Sequence, residues 1–310
     1  MQLVRGLHNL RASHRGSVVT IGNFDGVHLG HQEMLRVLLS RAAEVDLPAT
    51  VVSFEPSPRE YLATGPVPPR LSRFREKFVA LEQFGVDRFV CLRFDERMQA
   101  ISPDEFAHRI LVDGLGARWV VVGEDFRFAH RRRGDVAMLQ VLGERYGFSV
   151  DTVGPVLMDG ERVSSSLVRE ALMNGDLERA RQMLRRRYSM SGKVVAGQAL
   201  GRKLGFPTAN IRLHRQAAAL AGVFAVRVSG AGFDQVPGVA NLGTRPAVGG
   251  VEVLLETHIF DFDGDLYRRH LHVDFVARLR DELWFPNLGE LVEQMKVDAA
   301  QARMILGSGG

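Results

Sequence analysis

The apolar residues of this 310-residue chain change their period near residue 185, and a chain that does so folds as two domains of different kind. Before the change, short β-branched runs alternate with helical patterns. Residues 18–21 (VVTI) lead through a Gly-rich turn into Met34, Leu35, Leu38 and Ala42 at helical spacing. Residues 50–54 form a second run that stops at Pro56 and Pro58. Residues 89–94 are a third, and residues 119–122 a fourth that ends at Gly123. Ser102-Pro103-Asp104-Glu105 carries a Ser cap, Pro in the first turn and Glu at the capping-box position, so it predicts a helix start. Strands alternating with helices predict a parallel sheet with helices on both faces.

After the change, residues 194–195, 223–228, 251–260 and 271–275 are strand-like and divided by Gly, Pro and Asp turns. Helical spacing returns at 288–305, through Leu291, Met295, Val297 and Ala302. The expectation is an α/β chain: a Rossmann-like domain over residues 1–185, then an antiparallel β-barrel with a closing helix over 186–310.

Charge and cysteine content bound the partners. Forty Lys and Arg against 36 Asp and Glu give a net charge of +4, which suits a polyphosphate as well as it suits nucleic acid. The densest basic clusters, Arg131 to Arg133 and Arg185 to Arg187, lack the interleaved aromatics of a single-strand binder and read as solvated surface or linker. A nucleotide- or RNA-binding regulator is the rival class, and salt-dependent RNA affinity without ATP turnover would favour it. The one cysteine, Cys91, allows no intramolecular disulfide and argues for a reducing cytoplasm. No apolar run approaches the roughly 18 residues that span a bilayer, and residues 1–15 lack the apolar core of a signal peptide. Neither nucleic acid nor membrane is expected as a partner, and a homo-oligomer is compatible with the sequence.

Two stretches of the first half carry chemistry. Gly22-Asn23-Phe24-Asp25-Gly26-Val27-His28-Leu29-Gly30-His31 follows the first strand and opens a helix. Glycines let backbone N–H groups approach phosphate at a helix N-terminus. Two histidines three apart can donate to phosphoryl oxygens as charge builds. Ser164-Ser165-Ser166-Leu167-Val168-Arg169 offers hydroxyls at a helix start and a guanidinium fork. In the second half, Gly201-Arg202-Lys203-Leu204-Gly205-Phe206-Pro207-Thr208-Ala209-Asn210 has the composition of a phosphate and metal loop without the order of a Walker A.

These stretches resemble known families. The first histidine motif and the Ser-Ser-Ser…Arg motif are similar to those of the nucleotidyltransferase superfamily. Gly123-Glu124-Asp125-Phe126-Arg127-Phe128 and Phe54-Glu55-Pro56-Ser57-Pro58 narrow the likeness to its FAD synthetase branch, with Ala129 and Ser57 departing from the pattern. Gly205 to Asn210 resembles the riboflavin kinase signature. Gly238 to Pro246, residues 261–267 and 279–282 continue that likeness, so the resemblance covers about residues 15–303 in the expected order.

The resemblance implies a bifunctional enzyme of FAD biosynthesis. Its C-terminal half would phosphorylate riboflavin to FMN, and its N-terminal half would adenylylate FMN to FAD with release of pyrophosphate. ATP is the co-substrate and Mg²⁺ the cofactor. By resemblance, His28 and His31 stabilise attack on the α-phosphate, while Gly22, Phe24, Gly30, Ser164, Ser165 and Arg169 hold ATP. Asn23, Phe54, Asp125 and Phe126 face the FMN or adenine, and Arg280 the flavin. Thr208 and Asn210 bind the metal, Gly201 and Lys203 the phosphates, and Glu256 is the base that activates the ribityl hydroxyl. A narrower alternative keeps the kinase and weakens the adenylylating half, because Ser57 and Ala129 depart from the pattern. Asp263-Gly264-Asp265 is read as a β-turn in preference to a metal site.

Overall fold

The computed structural model describes residues 1–197, 201, 204–215, 217–247 and 250–307. Two compact units divide the chain. One comprises Met1–Val67 with Arg73–Ser164, the other Pro68–Ser72 with Ser165–Gly310. The expected division at residue 185 differs from this because two helices, Ser165–Met173 and Leu177–Leu184, make their contacts with the second unit.

The first unit is built on a six-stranded parallel sheet. Its strands are β1 (Gln2–Arg5), β2 (Ser17–Ile21), β3 (Ala49–Glu55), β4 (Arg88–Arg93), β5 (Ala117–Gly123) and β6 (Ser149–Val153). They lie in the order β1-β4-β3-β2-β5-β6, so the winding reverses between β2 and β5. That reversal opens a crevice beyond the carboxyl ends of the two strands. The runs at 18–21, 50–54, 89–94 and 119–122 are the four inner strands, and their apolar continuity follows from burial on both faces.

Helices cover each face. On one, α1 (Leu29–Glu44) packs Leu35, Leu38 and Ala42 in a cluster with Leu81 of the helix Phe74–Gln83. On the other, Met98, Phe106, Leu139 and Leu142 come from helices at Glu96–Ala100, Pro103–Phe106 and Val136–Tyr146. The Ser102 side chain accepts the Glu105 amide as the capping box requires, and Pro103 opens the helix. A short hairpin, β7 (Leu157–Met158) with β8 (Glu161–Arg162), closes the unit.

The second unit holds a closed antiparallel barrel. Its strands are β9 (Ser189–Val195), β10 (Ala209–Arg212), β11 (Gly222–Gly230), β12 (Phe233–Ala247), β13 (Gly250–Ile259) and β14 (His270–Arg280), in the order β10-β13-β12-β11-β14-β9. Ile211, Leu242, Leu255, Phe224 and Phe275 are buried, the last two rings edge to face at 5.2 Å. The closing helix, Leu288–Gly307, lays Ala302 and Leu306 against Ala225 and Phe260.

Candidate active sites

In the first unit the chain leaves β2 at Ile21 and turns sharply before α1. Phe24 and Val27 have φ of 49° and 45°, a left-handed backbone that non-glycine residues rarely adopt. Such conformations persist only where the surroundings hold them, and here Phe24 and Val27 are both buried in the core beneath α1. The turn delivers His28 as the N-cap of α1 and His31 one turn inside it. Their rings stack with centroids 3.8 Å apart, and the Phe24 ring lies 5.0 Å from His31.

Glycine permits this packing. A Cβ on Gly30 would lie 3.3 Å from the His28 ring and 3.5 Å from the Val163 carbonyl oxygen. The strand end before Ser164 therefore runs beside the histidine turn. His31 is held well below the ordinary histidine range by burial, then by the neighbouring His28 and by Lys77. Its Nδ1 is buried without a hydrogen-bond partner among the described residues.

The other expected residues of this half take different places. Gly22 and Asn23 sit at the mouth of the turn, Asn23 exposed. Phe24 is expected at the phosphates, but its side chain has no exposed surface; its ring supports His31 instead. Asp125 lies beyond the end of β5, the sheet neighbour of β2, and pairs with Arg162 at 2.9 Å. The Arg162 hydrogen bond holds its carboxyl below the usual carboxylate value, against the upward push of burial. Phe54 and Phe126 are partly buried against one apolar cluster, Phe54 edge-on to Phe94 and Phe126 stacked on Phe128. Ser57 caps the short helix Pro58–Tyr61. Ser164 ends the first unit, whereas Ser165 and Arg169 belong to the opening helix of the second. There the Arg169 Nε donates to the Pro69 carbonyl at 2.6 Å.

In the barrel, strand register does what sequence distance cannot. Asn210 of β10 stands opposite Glu256 of β13, and Glu256 stands opposite Asn241 of β12. Directly paired residues project to the same face of a sheet. Ile211, Leu255 and Leu242, one step along each strand, fill the interior, so the Asn210–Glu256–Asn241 row lies on the outer face. The Asn241 amide donates to Glu282 at 3.3 Å, extending the row. Asn241 falls within the 238–246 likeness, but nothing in the sequence ties it to Glu256, because only the register of β12 brings the two together.

Two glycines before β10, Gly197 and Gly201, lie close against side chains of Asn210 and Thr208. A Cβ on Gly197 would lie 2.7 Å from the Asn210 side-chain carbon, and one on Gly201 would lie 3.2 Å from the Thr208 hydroxyl. Glycine there keeps open a cradle that side chains would fill. A hydroxyl and an amide oxygen two residues apart suit a hard cation that retains phosphate and water ligands. Among the described residues no group of three His, Cys, Asp or Glu is placed to hold a metal. Lys203, expected at the phosphates, lies outside the described residues. A cleft of about 80 Å³ borders Thr208, Thr257, Asp265 and Tyr267. The Asp265 carboxylate accepts the Tyr267 amide at 2.9 Å, in keeping with a turn.

Arg280, expected at the flavin, pairs with the closing helix. Its Nε and Nη2 donate to both oxygens of Asp298 at 2.7 to 3.1 Å, and its Nη1 donates to the Asp281 carbonyl. The Asp298 side chain is 5% exposed, and a buried carboxylate requires such a partner. Arg280 therefore fastens the closing helix to β14.

Comparison with known proteins agrees with this geometry. The sequence matches the FAD synthetase family over residues 10–167 and the riboflavin kinase family over residues 184–306. A protein of Pseudomonas fluorescens named bifunctional riboflavin kinase/FMN adenylyltransferase is 48% identical over 306 residues, 98% of each chain. Its namesake from Escherichia coli K12 is 44% identical over 308 residues, 99% of this chain and 98% of its own. A crystal structure from Streptococcus pneumoniae, described as a macrolide-efflux protein, superposes with a TM-score of 0.84 at 28% identity and covers 98% of this chain and 99% of its own. That description belongs to the pneumococcal protein; among the described residues here, no helix is long and apolar enough to cross a membrane. With both families matched in order and relatives alike from end to end, the chain belongs to the bifunctional riboflavin kinase/FMN adenylyltransferase family.

Proposed function

We propose that residues 186–310 phosphorylate riboflavin to FMN and that residues 1–185 join FMN to AMP from a second ATP, releasing pyrophosphate. The observation that carries the reading is the register pairing of Asn210 with Glu256, with Gly197 close against the Asn210 side chain. It sets a carboxylate beside neutral oxygen donors, which is what phosphoryl transfer to a hydroxyl requires. The stacked histidine pair at the sheet's reversal is its counterpart in the first unit.

In the kinase half, Glu256 accepts the proton of the ribityl 5′-hydroxyl as its oxygen attacks the γ-phosphorus and ADP leaves. Thr208 and Asn210 would hold Mg²⁺, which when bound neutralises charge on the ATP phosphates. Asn241 orients the Glu256 side of the row, and Gly201 lies on the phosphate side of Thr208. In the adenylylating half, an FMN phosphate oxygen attacks the α-phosphorus of ATP and pyrophosphate departs with the bond's electrons. His28 and His31 donate to phosphoryl oxygens as charge develops. Backbone N–H groups at Gly22 and Gly30, with the Ser164 hydroxyl, hold the leaving phosphates, and the family likeness assigns phosphate binding to Ser165 and Arg169 as well. Asn23, Asp125, Phe54 and Phe126 border the FMN or adenine. A single buried cysteine, Cys91, fits a reducing cytoplasm.

The test is to incubate the purified chain with riboflavin, ATP and Mg²⁺ and resolve the flavins by chromatography. FMN followed by FAD is the expected result. FMN alone would restrict the activity to the kinase half, and unchanged riboflavin with a folded protein would overturn both assignments.

A further inference from the structure

Asn241 carries a buried amide oxygen with no hydrogen-bond partner among the described residues. The other end of the amide is fixed. Its Nδ2 donates to Glu282 at 3.3 Å, and a carboxylate can face only the NH₂ end. Glu282 reaches that place because Gly243, two residues along β12, has no side chain; a Cβ there would strike the carboxylate. β11 begins opposite Leu242, so Gly243 lies just past its end. A buried acceptor without a donor opposes folding, and its retention points to a donor that arises during the reaction.

Strand register limits what that donor can be. On the β11 side Asn241 stands opposite Val223, which is apolar. On the β13 side it stands opposite Glu256, and directly paired side chains have Cβ atoms about 4.5–5.5 Å apart. His258, two residues along β13, donates its Nδ1–H to the Pro207 carbonyl at 2.9 Å. Glu252, on the same face of β13, pairs with Arg212 at 3.0 Å. Glu256 has a hydrogen to offer only after it has taken a proton. That is the step assigned to it in riboflavin phosphorylation, and the inference rests on that assignment. We propose that Asn241 is a positioning residue for this step: its amide oxygen, set by Glu282, accepts the O–H of the Glu256 carboxyl once the ribityl proton has moved there.

The atoms balance within the phosphorylation itself. The ribityl O–H bond breaks and its oxygen bonds to the γ-phosphorus. The bond from that phosphorus to the bridging oxygen breaks, and ADP takes the electron pair. The proton stays on Glu256, with Asn241 as its acceptor. A hydrogen bond that only the protonated carboxyl can make grows as the proton moves, so it favours the transition state over bound substrate. An amide turned the other way would hold the unprotonated carboxylate with its NH₂ and oppose the same step. Glu282 prevents that reversal by occupying the NH₂ end.

The experiment measures FMN formation from riboflavin, ATP and Mg²⁺ by the full chain, Asn241→Ala, Asn241→Leu, Glu256→Gln and the two double variants. Removing an unpaired oxygen strands no donor, and Glu282 is exposed to water, so Asn241→Ala should fold. Expected for both Asn241 variants is a fall in kcat of about tenfold, with the KM for riboflavin unchanged. In the Glu256→Gln background no carboxyl takes a proton, and the same substitutions should alter the residual rate by less than about twofold. A merely structural asparagine would cost as much in either background, and that result overturns the proposal. So does a kcat for both Asn241 variants within about twofold of the unaltered chain. Glu256→Gln working at the full rate would instead overturn the parent assignment of the base, and the role of Asn241 with it.

Discussion

His28 and His31 stack ring on ring, 3.8 Å between centroids and 26° between planes, with Phe24 behind His31. Helical spacing alone sets residues three apart on one face, but the stack also needs the absent side chain at Gly30. Replacing His31 by Gln should lower FAD formation from FMN by about a hundredfold while FMN formation continues. Flavin chromatography of both half-reactions checks it, and equal loss of the two would sever the histidine pair from adenylylation.

The same burial makes stability depend on pH. His31 is held well below its ordinary value of 6.5 when folded, by burial first and then by His28 and Lys77. Between the folded and unfolded values the unfolded chain binds the additional proton. The stability from a neutral His31 is therefore complete above about 6.5 and is lost as pH falls toward the folded value. His14, lowered by burial and then by Arg88 and Arg11, acts with the same sign. Urea midpoints should fall between about pH 7.5 and about pH 5.5, and His31→Gln should shrink that drop. An identical drop in the variant would exclude His31 as its source.

Legibility in the sequence followed locality. The inner strands of the parallel sheet are buried on both faces, so residues 18–21 and 119–122 announce themselves as unbroken apolar runs. β12 does not, because Pro237, Gly238, Gly243 and Pro246 interrupt fifteen residues that pair on both sides. At the sites, motifs identify His28, His31, Thr208 and Asn210, whose neighbours are close in sequence. The Asn210–Glu256–Asn241 row depends on register among three strands, which no local pattern encodes. The pairing of Arg280 with Asp298 is illegible for the same reason, because Asp298 lies on a separate helix.

A glycine lets β9 approach β10 where the barrel closes. A Cβ on Gly192 would strike the Arg212 carbonyl oxygen and lie 2.8 Å from an Ile211 methyl. Backbone cannot swing aside as the end of a long side chain can. Gly192→Ala should destabilise the barrel by about 1–3 kcal/mol, read from denaturant midpoints. An unchanged midpoint would show that β9 and β10 separate more easily than their pairing implies.

The Arg280–Asp298 pair calls for a double-mutant cycle. Arg280→Met leaves a buried carboxylate with only the Gln294 amide as a donor from its own helix, at 2.9 Å. The expected cost is about 3–5 kcal/mol, most of it the penalty on the stranded charge. Changing Asp298 to Met as well should recover much of that loss. Urea denaturation of the four chains checks it, and simple additivity would mean that the pair does not couple the helix to the barrel.

Glu256 offers the sharpest separation of the two activities. Glu256→Gln preserves shape and removes the carboxylate that would take the ribityl proton, while its strand partners Asn210 and Asn241 remain in place. General-base catalysis contributes roughly 10²–10⁴ in rate, so FMN formation should fall by that order. FAD formation from added FMN uses the histidine pair and should persist. A variant that still phosphorylates riboflavin at the original rate would remove Glu256 from the mechanism. One that loses both activities would mean the two halves do not divide the chemistry, because this substitution alters no residue of the first unit.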